Sequence, residues 1–212
     1  PDLVDNLLPG YNMVNPSEPP VDRLGHGTHV CGIMVACNND IGMVGVSHKA
    51  KVIPIKVLDD SGNGNMNTVA AGIRKAVELG VDLISMSLGC PMPIPEVEKA
   101  IAEADAKGIA VFCAAGNAGN TSEVFYPSAY RTAVAIGAID ENFNRATFSN
   151  TGRNLDFMCP GVEILSTVPT NWYAVMNGTS MAAPFACAIA ALLKSAYKKY
   201  HPNENLLSNS NA

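Results

Sequence analysis

Ile109-Ala110-Val111-Phe112-Cys113-Ala114 is apolar at every position. A strand with one face in water alternates apolar and polar residues, whereas an unbroken apolar run needs cover on both faces. Helices above and below a parallel sheet supply that cover. The flanking sequence fits this arrangement. Lys51-Val52-Ile53-Pro54-Ile55-Lys56-Val57-Leu58 is rich in β-branched residues and runs into the turn-forming Asp59-Asp60-Ser61-Gly62-Asn63-Gly64. Residues 67–79 follow with helical spacing (Val69, Ile73, Ala76, Val77), stopped by Gly80. Residues 81–88 predict a second strand, and Pro95 opens a helix that runs to Gly108. Residues 132–139 and 163–168 predict two more strands. Residues 180–199 predict a long helix whose basic end suits the macrodipole. The expected fold class is therefore α/β, a three-layer sandwich around a mostly parallel central sheet. Ligands of such sheets bind beyond the carboxyl ends of the strands. Ser87-Leu88-Gly89 and Ala114-Ala115-Gly116-Asn117 are thus expected along one functional edge.

The 212 residues, 48% hydrophobic and 16% charged, suffice for one sizeable core, and no linker divides them. We expect a single domain over residues 1–202, with the Asn/Ser-rich residues 203–212 as a flexible tail. A net charge of −5 argues against a nucleic-acid partner. The basic cluster Lys194, Lys198 and Lys199 reads as a solvated helix face. No apolar run reads as long enough for a membrane span, so no membrane partner is expected. The six cysteines (Cys31, Cys37, Cys90, Cys113, Cys159, Cys187) form no C-x-x-C pair. Cys31, Cys113 and Cys187 sit among apolar or small residues, as buried thiols do. This favours a reduced, cytoplasmic protein over a secreted one.

Two glycine-bracketed stretches carry the chemistry. Gly25-His26-Gly27-Thr28-His29-Val30-Cys31-Gly32 and Gly178-Thr179-Ser180-Met181-Ala182-Ala183-Pro184 each place one reactive side chain at the start of a helix. A serine hydroxyl is a poor nucleophile at neutral pH, and a neighbouring imidazole is its usual activator. A zinc reading of His26, His29 and Cys31 lacks the H-E-x-x-H spacing. An α/β-hydrolase elbow would need its acid and histidine after the serine, where only His201 and Glu204 stand.

Together with Ala114-Ala115-Gly116-Asn117, in this order, these stretches resemble the subtilisin-like serine peptidases. Residues 81–89, 146–150 and 158–161 fit as well, so the likeness covers nearly the whole chain. Within the family it is most similar to the intracellular subtilisins. The resemblance implies an endopeptidase with Ser180 as nucleophile, His26 as general base and Asn117 as oxyanion donor beside the Ser180 backbone N–H. His29, one turn along, is expected to be structural. A polypeptide substrate would lie extended between Ser87-Leu88-Gly89 and Gly62-Asn63-Gly64. Ala114, Ala115 and Gly116 would wall the pocket for the residue before the scissile bond. Phe125 would shorten that pocket, where the family often has glycine, and favour small or medium apolar residues. The loop Cys37-Asn38-Asn39-Asp40-Ile41-Gly42-Met43 is similar to the family's calcium loop. Its implied ligands are the Asn39 side chain, the carbonyls of Cys37, Ile41 and Met43, and the Asp2 carboxylate; an Asn-Asn-Asp turn without metal is the alternative.

The chain also departs from its family. The family's catalytic aspartate lies before the Pro-Asp-Leu that opens this chain, so Asp2 matches the metal position and Asp22 an accompanying acid with no triad role. Phe185 and Ala188 stand where a histidine and a glycine are common. The expected domain therefore lacks N-terminal strands and C-terminal elements. Three possibilities stay open: part of a longer active peptidase, a domain completed by another chain, or a peptide-binding pseudoenzyme. The first is favoured because Ser180, His26 and Asn117 are all present. The resemblance further implies a calcium-dependent homodimer held inactive by an N-terminal extension.

Overall fold

The computed structural model describes residues 1–201, so the expected tail at 203–212 lies outside the described residues. Four parallel strands form the central sheet: β3 (Leu83–Met86), β4 (Ala110–Ala114), β5 (Ala133–Ile139) and β6 (Phe157–Pro160), in that spatial order. Two smaller ladders flank it. β1 (Tyr11–Asn12) pairs in parallel with β2 (Ile55–Lys56), and β7 (Ile164–Val168) pairs antiparallel with β8 (Trp172–Met176). The helices are α1 (His26–Val35), α2 (Met66–Glu78), α3 (Pro95–Asp105) and α4 (Thr179–Tyr200).

The apolar run at 109–114 does what its composition requires. Ile109, Val111 and Cys113 face the core built by α2 and α3, with Val69, Ile73, Val97 and Ile101. Phe112 and Ala114 face the opposite core, built by α1 and α4 with Ile33, Met181 and Ala183. Side chains alternate across a strand, so one continuous apolar segment serves two layers. The three-layer α/β expectation holds.

Several local expectations change. Of the β-rich run at 51–58 only Ile55–Lys56 joins a ladder, because Pro54 has no N–H to donate. Its partner β1, and the strands β6 and β8, were not foreseen. β6 is four residues long, ends in Pro160 and lies at the sheet edge, the place where a proline does least harm. The 22-residue α4 is long and apolar enough by length and composition to cross a membrane, against the expectation that no segment approaches this. Its first turns are nevertheless buried in the core at Met181, Ala182, Ala183, Ala186 and Cys187. Two of its basic residues are also paired, not simply solvated. Lys194 and Lys198 reach Asp82 at 2.8 and 3.5 Å.

α1 starts sharply at His26. Gly25 holds φ 90°, which costs a residue without a Cβ little. Asp22 supplies the cap, its Oδ2 accepting from the Thr28 N–H at 2.7 Å and the Thr28 hydroxyl at 2.6 Å. The far side of α1 is stitched to the β7–β8 hairpin. Ser166 Oγ and Thr167 Oγ1 donate to the carbonyls of His29 and Thr28, and His29 Nε2 lies 3.0 Å from the carbonyls of both Ile164 and Ala174. His29 is fully buried and serves this junction.

Candidate active site

Ser180 stands in the first turn of α4, after Gly178 at the N-cap. Its carbonyl would ordinarily accept from the N–H four residues on, but that residue is Pro184. The Ser87 hydroxyl, just beyond β3, donates to it at 2.7 Å. In return Ser180 Oγ donates to the Ser87 carbonyl at 3.4 Å.

Asn117 follows β4, across from this turn. Its Oδ1 accepts from both the backbone N–H and the hydroxyl of Thr179, each at 2.9 Å. Thr179 is fully buried and accepts in turn from the Gly116 N–H at 3.1 Å. With its oxygen engaged, the amide leaves Nδ2 as the free end. A Cβ added to Gly178 would stand 3.4 Å from Asn117 Nδ2 and 3.5 Å from the Ser180 backbone N. The two proposed donors therefore border the same small space.

His26 opens α1 and faces a hollow of about 310 Å³ lined by Leu58, Gly62, Gly64, Ser87, Leu88 and Gly89, among others. Ser180 and Asn117 face a second hollow, of about 350 Å³, that shares Leu88 and Gly89 with the first and adds Ala114, Gly116 and Phe125. Burial lowers the His26 pKa from 6.5; the Asp22 charge opposes this and His29 adds to it. Asp22 does not orient the His26 ring. Its Oδ1 accepts from the N–H groups of Leu24 and Gly25, and its Oδ2 is held by Thr28. Burial pushes the Asp22 pKa up, but these hydrogen bonds outweigh it and the net shift is down. Among the described residues, no hydrogen bond joins a carboxylate to His26.

Most expected substrate contacts line the two hollows. Two do not. Ala115 is fully buried, because its backbone stays tied to Ile136 and Phe125 and its methyl turns inward. Asn63 is exposed and lines neither hollow, while Gly62 and Gly64 on either side line the first. Phe125 lies beside Gly116 and narrows the second hollow, its Cδ2 only 2.8 Å from where a Gly116 Cβ would be.

The loop at 37–43 packs on Asp2. The Asp2 side chain is buried, its Oδ2 accepting from Tyr173 Oη at 3.0 Å and the Met43 N–H at 3.3 Å, while Oδ1 has no partner. Asn39 Oδ1 accepts from the Ile41 N–H at 3.1 Å, and the Cys37 carbonyl accepts from the Asn39 N–H at 3.1 Å. Among the described residues no group of three or more His, Cys, Asp or Glu side chains gathers to hold a metal. All six cysteines are free, and burial pushes the thiols of Cys31 and Cys187 up to about 12.

The hydroxyls of Ser87 and Thr179 and the side chain of Asn150 hold neighbouring groups of the site, and sequence reading gave Ser87 only a place on the substrate rail and gave Thr179 and Asn150 no role of their own. Pro184, four residues after Ser180, was the available signal for Ser87, since it announces a carbonyl in need of a donor. Thr179 and Asn150 lie in stretches that resemble the family, but nothing in the sequence pointed to the hydrogen bonds they make.

The model of the subtilase family, peptidase S8, matches residues 2–209. The chain is 44% identical to M-protease of Shouchella clausii (strain KSM-K16), over 92% of the chain and 50% of that protein. It is 44% identical to subtilisin Savinase of Lederbergia lenta, over 92% of the chain and 71% of the relative. It is 42% identical to an intracellular serine protease of Paenibacillus polymyxa, over 92% of the chain and 62% of the relative. The chain thus spans about half the length of the first of these and more of the others. The solved structure of sphericase superposes with a TM-score of 0.84 at 30% identity, covering 97% of this chain and 74% of that one. The parallel sheet, the helix-opening serine and histidine, and a match running through nearly every described residue have one explanation: the chain belongs to the subtilase family.

Proposed function

We propose that the chain carries the histidine, serine and asparagine of a subtilisin-like serine endopeptidase. His26 takes the Ser180 proton as the hydroxyl attacks the scissile carbonyl, and later gives it to the leaving amine. The oxyanion formed is met by the Ser180 N–H and Asn117 Nδ2, and an acyl-enzyme on Ser180 is then hydrolysed by water. The observation that carries this reading is Asn117, whose oxygen is fixed by Thr179 so that its amide hydrogens border the Ser180 N–H. Peptide binding uses the exposed backbone around Leu88 and Gly89, which demands little of the substrate's sequence.

Calcium fits the Asp2 corner. A buried carboxylate oxygen without a partner is costly, and a cation there would answer it. Asp2, Asn39 and the carbonyls of Cys37, Ile41 and Met43 would hold it, each oxygen keeping a lone pair free. Calcium when bound would supply positive charge and tie the loop to the N-terminal residues. The six free thiols and the likeness to an intracellular serine protease support a cytoplasmic location.

A second reading, peptide binding without cleavage, is favoured by one observation: no described carboxylate orients His26. Labelling with a fluorophosphonate probe, with and without calcium, decides between them. Labelling that disappears in Ser180→Ala and falls in His26→Ala supports the peptidase. A folded, calcium-loaded chain that binds an extended peptide but takes no label is the binding protein instead.

A further inference from the structure

Asn150 lies in the loop after β5, 33 residues beyond Asn117 in sequence, and it is fully buried. Its Oδ1 accepts from the N–H groups of Ala118 and Asn120, both at 3.0 Å. Its own backbone N–H donates to the Gly116 carbonyl at 2.9 Å. These three bonds fall on both sides of Asn117, and the N–H of Gly119 is held besides by the Phe148 carbonyl at 2.7 Å. Two donors converge on Oδ1, which settles which way the Asn150 amide points. The approach is close: a Cβ on Gly116 would come within 2.5 Å of Asn150 Nδ2, and Gly116 holds φ 104°, so only glycine is comfortable there. Nδ2 itself is buried and has no partner.

We propose that Asn150 is the positioning residue for the oxyanion amide, gripping the 116–120 turn from behind while Thr179 grips the Asn117 side chain from the front. An exposed turn rich in small residues has many accessible conformations. Asn117 is exposed, so its amide cannot be held by burial. A donor helps the transition state only if it is already aimed at the oxyanion, because reorganisation during the reaction forfeits the gain. Thr179 fixes the end of the side chain, and Asn150 fixes the backbone from which it projects. The proposal rests on the peptidase reading of the site.

The test compares Asn150→Ser, too short to reach both N–H groups, with Asn150→Asp, which keeps an acceptor oxygen for both and sets a buried carboxylate oxygen where the unpartnered Nδ2 stood. Asn150→Ser is expected to lower kcat by about tenfold or more with little change in KM, toward the hundred- to thousandfold cost of losing the amide itself. Asn150→Asp is expected to lose less kcat than Asn150→Ser, since an ionised acceptor holds the same donors, while its second, unpartnered oxygen lowers Tm. In an Asn117→Ala background the Asn150→Ser effect should vanish, because positioning an absent amide gains nothing. Equal losses in both backgrounds, or a rise in KM at constant kcat, overturn the proposal. Hydrogen exchange at Ala118 and Asn120 gives a readout free of turnover. Asn150→Ser should speed it at both amides and Asn150→Asp should not. Unchanged protection in Asn150→Ser sinks the proposal even in a preparation with no peptidase activity, whereas lost protection without any turnover counts against the peptidase reading alone.

Discussion

Ser87 and Ser180 hold one another by two opposed hydrogen bonds, hydroxyl to carbonyl, at 2.7 Å from Ser87 and 3.4 Å from Ser180. The shorter bond replaces the intrahelical one that Pro184 cannot make. It fastens the first turn of α4 to the carboxyl end of β3, the strand edge that also lines both hollows. Ser87→Ala leaves that carbonyl without its donor and should cost about 1–3 kcal/mol. Calorimetry should find Tm lowered by roughly 2–4 °C for each kcal/mol in a chain of this size. An unchanged Tm would mean the bond contributes nothing net.

Thr179→Val keeps the shape and removes the hydroxyl that serves Gly116 and Asn117 together. Turnover should fall, though less than in Asn117→Ala, for which about a hundred- to a thousandfold is expected, a figure itself measured in a subtilisin. Steady-state kinetics of both variants and of the double variant should show losses that do not add, because the two side chains act as one unit.

The pH dependence follows from His26. Its folded pKa lies below 6.5, chiefly through burial, with Asp22 pulling it back up and His29 pushing it further down. A base works neutral, so kcat/KM should rise with pH through a midpoint below 6.5 and level off above it. Asp22→Asn removes the charge that favours the imidazolium, so the midpoint should move lower still. A midpoint that moved up would show that Asp22 does not act on His26 in this way. The same sign governs stability. His26 contributes no penalty above its unfolded value, and stability is lost as pH falls from there toward the folded one.

Phe125 fills part of the hollow beside Ser180, so peptides with small or medium apolar residues before the scissile bond should be cleaved best. Phe125→Gly should enlarge the hollow and raise kcat/KM for phenylalanine or tyrosine there relative to alanine. One methylene in a pocket is worth about tenfold or somewhat more, so the change of preference should exceed that. An unaltered profile in a peptide library would mean that the ring already stands aside.

Calcium should raise Tm in the parent chain and not in Asp2→Ala. A stabilising ligand adds RT ln(1 + [L]/Kd), about 2.7 kcal/mol at a hundredfold excess over Kd. Terbium titration, read by emission sensitised through the adjacent Tyr173, checks the site directly. A parent chain whose Tm ignores calcium would remove the metal from this corner and leave an Asn-Asn-Asp turn.

Sequence alone determined the class of fold and singled out the candidate reactive side chains. Residues 109–114 needed cover on both faces because every position is apolar, and the helical stretches that alternate with the strand stretches on either side supply it. His26 and Ser180 stood out because glycines and small residues surround a group that would otherwise be an ordinary helix-capping side chain. Only the tertiary structure decided what supports them. β1 and β6 are short strands whose partners lie about 20 to 45 residues away in the chain, beyond the reach of local periodicity, and β8 is the return arm of a hairpin with β7 that carries no turn signature of the Asn-Gly kind. The burial of Ala115 and the exposure of Asn63 depended on how their loops dock. The side chains of Ser87, Thr179 and Asn150 act through one or two hydrogen bonds each, across gaps of 93, 62 and 63, and 30 and 32 residues, and have no local pattern to betray that use. Periodicity records which face of an element is buried, since burial is set by the spacing of neighbours along one chain. A polar contact between two distant loops depends on where the packed core places them, and that exists only once the chain has folded.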